Sequence, residues 1–403
     1  MPNRVNGAYC LMQASALGVN ACLYCYNSVF LLSHGLSNSA IGVVLALACA
    51  ASFLGQLLFG ELLNRRGRGS LRRFLLGAAG VLLAENVILL LPIGRLPAVA
   101  VFLTGCVLLN LFPTFLDAAS VYELRRGVPV DFGIGRGAGS LGYAVCGALV
   151  GQRLSVSGTG AIFRIGAALS LITVASVLWF FFETGRSVPA DVSAAPAPQE
   201  KPSARRPDLS FLTTYPRYAM VLLGCTLLIM GQTSTTNFWY QVVCAKGGDE
   251  RGMGLAVAAA ACMEVPVLFL FSRFSHKLRS DQWLKLSAVV MSVKAVAVLL
   301  AGGMPSFLFA QLFQTGYALY LVGSVCYTDI VIPHRDLISG QAYVHAAATL
   351  GSLLSLLIGG VILDHCGVTV LLLAGVAFLL CGSAIVFRFA LPARLAAAAA
   401  PPR

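Results

Sequence analysis

Five ionisable side chains stand in stretches where a lipid bilayer disfavours them: Glu85, Asp117, Arg136, Glu264 and Lys294. A charge at mid-membrane costs about 3 kcal/mol even on lenient insertion scales, so each is a candidate site. Asp117 ends the run Leu111-Phe-Pro-Thr-Phe-Leu116, and Arg136 opens the next apolar stretch. A carboxylate and a guanidinium on adjacent helices would orient a polar solute; they serve equally as an interfacial salt bridge holding the hairpin. Glu264 is the lone acid in Val257-Ala-Ala-Ala-Ala-Cys-Met-Glu-Val-Pro266, where the proline also interrupts backbone bonding. Burial disfavours the charged form of such an acid, which suits a proton carrier. It is equally placed to pair with Lys294, and a pair that breaks on protonation would couple the proton to a solute. Glu85 has no evident partner in the sequence.

Amides and aromatic rings accompany these charges: Asn20, Tyr24, Tyr26, Asn27, Tyr143, Gln232, Asn237, Trp239, Tyr240, Gln241, Gln311, Gln314, Gln341 and His345. Such a set would suit a polar solute with a stackable face, although Tyr and Trp also mark bilayer interfaces. Tyr24, Asn27, Tyr143, Asn237 and Gln314 are the expected cavity-lining residues.

These side chains need membrane-spanning helices to hold them. Of 403 residues 58% are hydrophobic and 11% charged, and mean hydropathy is +0.83, which excludes a soluble domain. Apolar runs predict twelve helices, near 7–32, 38–61, 72–92, 97–122, 136–156 and 161–182, then 217–243, 252–275, 281–302, 304–329, 337–361 and 367–389. The first run extends past Ala14-Ser-Ala16 to Leu32, too far for a signal peptide. The expected organisation is an all-α integral membrane protein: an N-terminal six-helix bundle (1–182), a polar, Pro- and Ala-rich linker (183–216), a C-terminal bundle (217–392) and a disordered tail (393–403).

Of 28 Lys and Arg, 22 fall at the termini and even-numbered gaps, five in odd-numbered gaps, and Lys294 in mid-helix. The positive-inside rule then places both termini and the linker in the cytoplasm of a plasma (inner) membrane protein. The net charge of +12 is thus a topological signal and makes no case for nucleic acid. Cys22 and Cys25 form one CxxC without a second Cys or His pair, so neither metal nor cofactor is expected. The histidines (His34, His276, His334, His345, His365) are scattered, which argues against an enzyme.

Sliding the chain by 212 residues superposes Gly35 on Gly247, Gly42 on Gly254, Gly139-Ser-Leu141 on Gly351-Ser-Leu353 and Gly147 on Gly359. Two such halves form the parallel repeat of alternating-access transporters, with solute bound near the midplane.

The stretch Asp131-Phe-Gly-Ile-Gly-Arg136-Gly-Ala-Gly-Ser140-Leu-Gly-Tyr143 resembles the fifth-helix signature of the major facilitator superfamily. Met263-Glu264 and Met291-Ser-Val-Lys294 narrow the resemblance to the branch containing lactose permease and the phenylpropionic acid transporters. The superfamily loop after helix two is present as Gly60-Glu-Leu-Leu-Asn64-Arg-Arg-Gly-Arg68, with Asn64 where an aspartate is usual. The resemblance implies the major facilitator fold, solute binding by Arg136 with Asp117 as its acid, stacking at Tyr143, and proton handling by Glu264 and Lys294. Gln314 and Tyr317 fall where lactose permease carries a histidine and a proton-bearing glutamate, so coupling would rest on Glu264 or another acid.

The expected function is a secondary active transporter, a monomer bringing in a small organic solute (sugar, aromatic acid or nucleoside) with protons by alternating access. Proton-driven efflux by the same fold is the alternative, and a non-transporting membrane sensor a third.

Overall fold

The computed structural model describes residues 2–66, 68–187, 210–274, 277–333 and 336–390. Most of the linker and the C-terminal tail expected above lie outside these residues, as do His276 and His334. Among the described residues the regular structure is helical, without strands. In a bilayer every backbone polar group needs an internal partner, and a continuous helix supplies it.

Fifteen α-helices follow in chain order: α1 (Pro2–Asn20), α2 (Asn27–Ser33), α3 (Asn38–Arg66), α4 (Arg68–Ile88), α5 (Arg95–Arg125), α6 (Phe132–Ser157), α7 (Gly160–Arg186), α8 (Ser210–Thr214), α9 (Pro216–Thr236), α10 (Trp239–Ala245), α11 (Glu250–Phe274), α12 (Ser280–Leu300), α13 (Met304–Ala310), α14 (Thr315–Val331) and α15 (Leu337–Phe389). A π-helical segment, Ala21–Cys25, joins α1 to α2, and a 3₁₀ turn, Gln311–Gln314, joins α13 to α14. The 53 residues of α15 are two helices divided at Gly367, whose φ of +81° no helix contains. Each of the twelve predicted segments therefore coincides with helix. Among the described residues six helices are each long and apolar enough to cross a membrane, or seven when α1 and α2, bent by 43°, count as one span.

The 212-residue repeat is visible in the backbone. The helix breaks at Tyr26 and Phe238 correspond, as do the seven-residue helices α2 and α10 that follow. Gly35 and Gly247 close the two turns at φ of +71° and +75°, the left-handed conformation that favours glycine. The starts of α3 and α11, and of α4 and α12, keep the same offset.

The described residues divide into two compact units: 2–36, 47–187 and 249–262 in the first, 37–46, 210–248 and 263–390 in the second. The first unit is filled by Tyr9, Met12, Leu75, Phe112, Phe115, Leu116 and Phe180. In the second, Tyr218, Leu228, Leu284, Met291, Tyr320 and Leu379 play that part. Within the second unit Asp364 caps α3, accepting from the backbone N–H groups of Asn38 (2.9 Å) and Ser39 (2.8 Å). Lys246 caps the far end of α12 by donating to the carbonyls of Leu299 (3.1 Å) and Ala301 (2.7 Å). Burial lowers its pKa from the usual lysine value.

Candidate functional site

In each unit a polar cluster gathers the candidate residues. In the first, Tyr9 and Gln13 lie one turn apart on α1, both fully buried. The Gln13 amide Nε2 donates to the Tyr9 hydroxyl (2.8 Å) and to Asp117 Oδ1 on α5 (2.8 Å). Pro113, one turn before Asp117, cannot donate to Leu109, and the Asn20 amide supplies that carbonyl instead at 3.1 Å. Asn20 thus repairs α5 where the proline interrupts it. Gly135 lets α6 approach the Tyr9 ring, since a Cβ there would fall 2.1 Å from Tyr9 Cε1. The next residue, Arg136, is half-buried, and its Nη1 is buried without a hydrogen-bond partner among the described residues.

Asp117 and Arg136 therefore do share one neighbourhood, but the hydrogen bond to the carboxylate comes from Gln13 and not from the guanidinium. The salt bridge that the hairpin geometry suggested is absent from the ion pairs of the described residues, which join Arg68 and Arg126 to Glu123, and Arg279 and Lys285 to Asp281.

Tyr24 lies half-buried on the π-helical segment; such segments recur at functional sites. Cys25 Sγ lies 2.8 Å from the Tyr143 hydroxyl of α6. Tyr26 donates to the Gly147 carbonyl (2.6 Å), and Asn27, buried, accepts from Ser28 Oγ at 3.1 Å. Tyr24, Asn27 and Tyr143 thus belong to one region of the first unit.

In the second unit a single amide organises the cluster. Gln314, 5% exposed, ends the 3₁₀ turn before α14. Its Nε2 donates to Glu264 Oε1 of α11 at 2.7 Å. Its Oε1 accepts from Lys294 Nζ of α12 and from Gln232 Nε2 of α9, the latter at 3.2 Å. Lys294 is 3% exposed. The expected Glu264 and Lys294 are thus brought together, linked by Gln314, which sequence reasoning assigned to the cavity wall. Asn237 is buried at the C-terminal end of α9.

Glu85 belongs to neither cluster. It is buried on α4 against Gly105, where a Cβ would lie 1.9 Å from its carboxylate oxygens, and neither oxygen has a hydrogen-bond partner among the described residues. No group of three or more His, Cys, Asp or Glu is placed to hold a metal ion among the described residues.

Sequence reasoning missed Tyr9 and Gln13. Their signal is modest: two polar groups at i and i+4 on the first helix, facing the Gly-rich start of α6.

Solved structures share this fold. The nucleoside transporter NupG aligns with a TM-score of 0.76 at 13% identity, covering 96% of this chain and 98% of that one. A mutant of the peptide transporter POT aligns at 0.71 with 10% identity, covering 96% and 93%. A bacterial homologue of the human lysosomal transporter Spinster aligns at 0.66 with 13% identity, covering 96% and 97%. Identities this low establish the shared architecture and leave the cargo of each protein its own. The model of the MFS_1 like family matches residues 6–374, nearly the whole chain, and this protein, an all-helical membrane protein of the major facilitator fold, belongs to that family.

Proposed function

We propose that this chain is a secondary transporter that carries a small organic solute together with a proton, as a monomer in the plasma (inner) membrane with both termini cytoplasmic. The observation that carries this reading is the bonded series Glu264, Gln314, Lys294, a carboxylate and an ammonium joined through one buried amide. Ionised groups inside a bilayer are kept where they move charge or hold solute, because their desolvation is otherwise uncompensated. Glu264 carries the proton, and Lys294 supplies the positive charge that favours its release.

The first unit provides the recognition chemistry. Arg136 holds a buried donor that no group of the described residues accepts, near a carboxylate that already accepts from Gln13. A solute bearing an acceptor oxygen meets that donor, and Asp117 takes one of its hydroxyl or N–H groups. Tyr24, Asn27 and Tyr143 complete the set of rings and amides in this unit, which fits a sugar, an aromatic acid or a nucleoside.

The test is a panel of monosaccharides, aromatic acids and nucleosides added to proteoliposomes under an imposed pH gradient. Glu264→Gln should abolish uphill accumulation of the transported solute and retain its exchange across the membrane. Full accumulation by that variant would remove Glu264 from the proton path. Vesicles of opposite orientation report the direction of flux, and net extrusion against the proton gradient would replace uptake by efflux.

A further inference from the structure

We propose that Gln314 is a positioning residue that passes the charge state of Glu264 to Lys294, an inference that rests on the proton-coupling reading above. The amide has a polarity, with donors on one end and an acceptor on the other. Its present orientation satisfies three partners at once: the Glu264 carboxylate on the nitrogen side, and Lys294 and Gln232 on the oxygen side. The reverse orientation would set a carbonyl against a carboxylate and an NH₂ group against an ammonium. The negative charge on Glu264 therefore fixes which end of Gln314 faces Lys294.

Protonation removes that constraint. The bond from Nε2 to Glu264 loses its charge assistance, about half its strength, and the amide can turn to accept from the new O–H. Lys294 and Gln232 then lose their shared acceptor together. The elements joined at this amide are α9, α11 and α12; Lys294 is the charged group they present to Glu264, and α9 contributes the neutral Gln232. The backbone suits such a motion, because Gln314 ends a 3₁₀ turn, whose bonds are weaker than those of the flanking α-helices.

The experiment reads Lys294 directly and needs no solute. Full-length protein in liposomes is treated briefly with acetic anhydride, and acetylation of Lys294 is followed by peptide mass spectrometry. Glu264→Gln mimics the protonated acid, and it should accelerate Lys294 labelling by about fivefold, a coupling typical of one hydrogen-bond network. In a Gln314→Leu background the same change should alter labelling by less than about twofold. Equal acceleration in both backgrounds would mean direct electrostatics between the two charges, and would overturn the role of Gln314. No acceleration in the otherwise unaltered protein would overturn it as well. If Gln314→Leu is not monodisperse, Gln314→Met, unbranched and of similar length, is read in its place. Failure of the proton-coupling reading would show separately, as uphill accumulation by Glu264→Gln.

Discussion

In the first unit an amide from α1 bonds Asp117 while the Arg136 Nη1 finds no acceptor among the described residues, whereas in the second unit one amide, Gln314, bonds both Glu264 and Lys294. The backbones beneath these clusters repeat, with matching breaks at Tyr26 and Phe238 and matching turns at Gly35 and Gly247. The chemistry does not repeat. At the 212-residue offset Gln13 and Arg136 correspond to Cys225 and Ala348, while Glu264, Lys294 and Gln314 correspond to Ser52, Leu82 and Phe102. The repeat conserves the caps and breaks that any such bundle needs, and frees each half to bury a different set of polar groups. A unit with an idle donor is suited to receive something from outside; a unit whose charges are joined internally is suited to change its own state.

That contrast can be broken by experiment. The largest expected effect is on stability. Lys294→Leu removes the buried ammonium from this network and leaves the Gln314 Oε1 without its charged donor, and should cost about 1.5–3 kcal/mol, the worth of a hydrogen bond to a charged group. Arg136→Leu should cost less, about 1 kcal/mol, since its Nη1 forms no hydrogen bond among the described residues and Gln13 still donates to Asp117 once the arginine charge near that carboxylate is gone. Thermal unfolding midpoints of the purified variants compare the two; equal shifts would erase the distinction between a cation with an unbonded donor and one bonded to Gln314.

The next effect is on solute affinity. Gln13→Leu removes the donor to Asp117 and should weaken solute binding by about 1.5–3 kcal/mol, the worth of a hydrogen bond to a charged group. Binding to the purified protein by calorimetry, with the solute that the transport panel identifies, measures it. Unchanged affinity would place the Tyr9, Gln13 and Asp117 network in the scaffold. The smallest effect belongs to Tyr143→Phe, which removes the hydroxyl that meets Cys25 and should cost about 0.5–1.5 kcal/mol in binding. A larger loss would show that the Tyr143 hydroxyl itself reaches the solute.

Part of the candidate site was legible in the residues. Glu264 and Lys294 stood out because they interrupt apolar runs, and the structure joins them through one intermediary. Asp117 and Arg136 stood out for the same reason and share a neighbourhood, though the salt bridge is replaced by the bond from Gln13. Gln13 was not legible, because a neutral amide in an apolar helix costs too little to look anomalous, and which group it bonds depends on a residue 104 positions away. Gln314 was seen, but its bonds to Glu264, Lys294 and Gln232 were not legible, for a related reason. An amide gives no sign in sequence whether it faces a cavity or is consumed by its neighbours.

The sequence by itself determined the helical membrane class, the order of the helices, the offset of the repeat and the small set of charges set within apolar runs. These follow from local costs: apolar length, charge in lipid, and glycine where φ must be positive. Only the tertiary structure decided which polar groups satisfy one another. Hydrogen bonds across helices are settled by packing at distances of a few ångströms, and local residue preferences do not encode the partner.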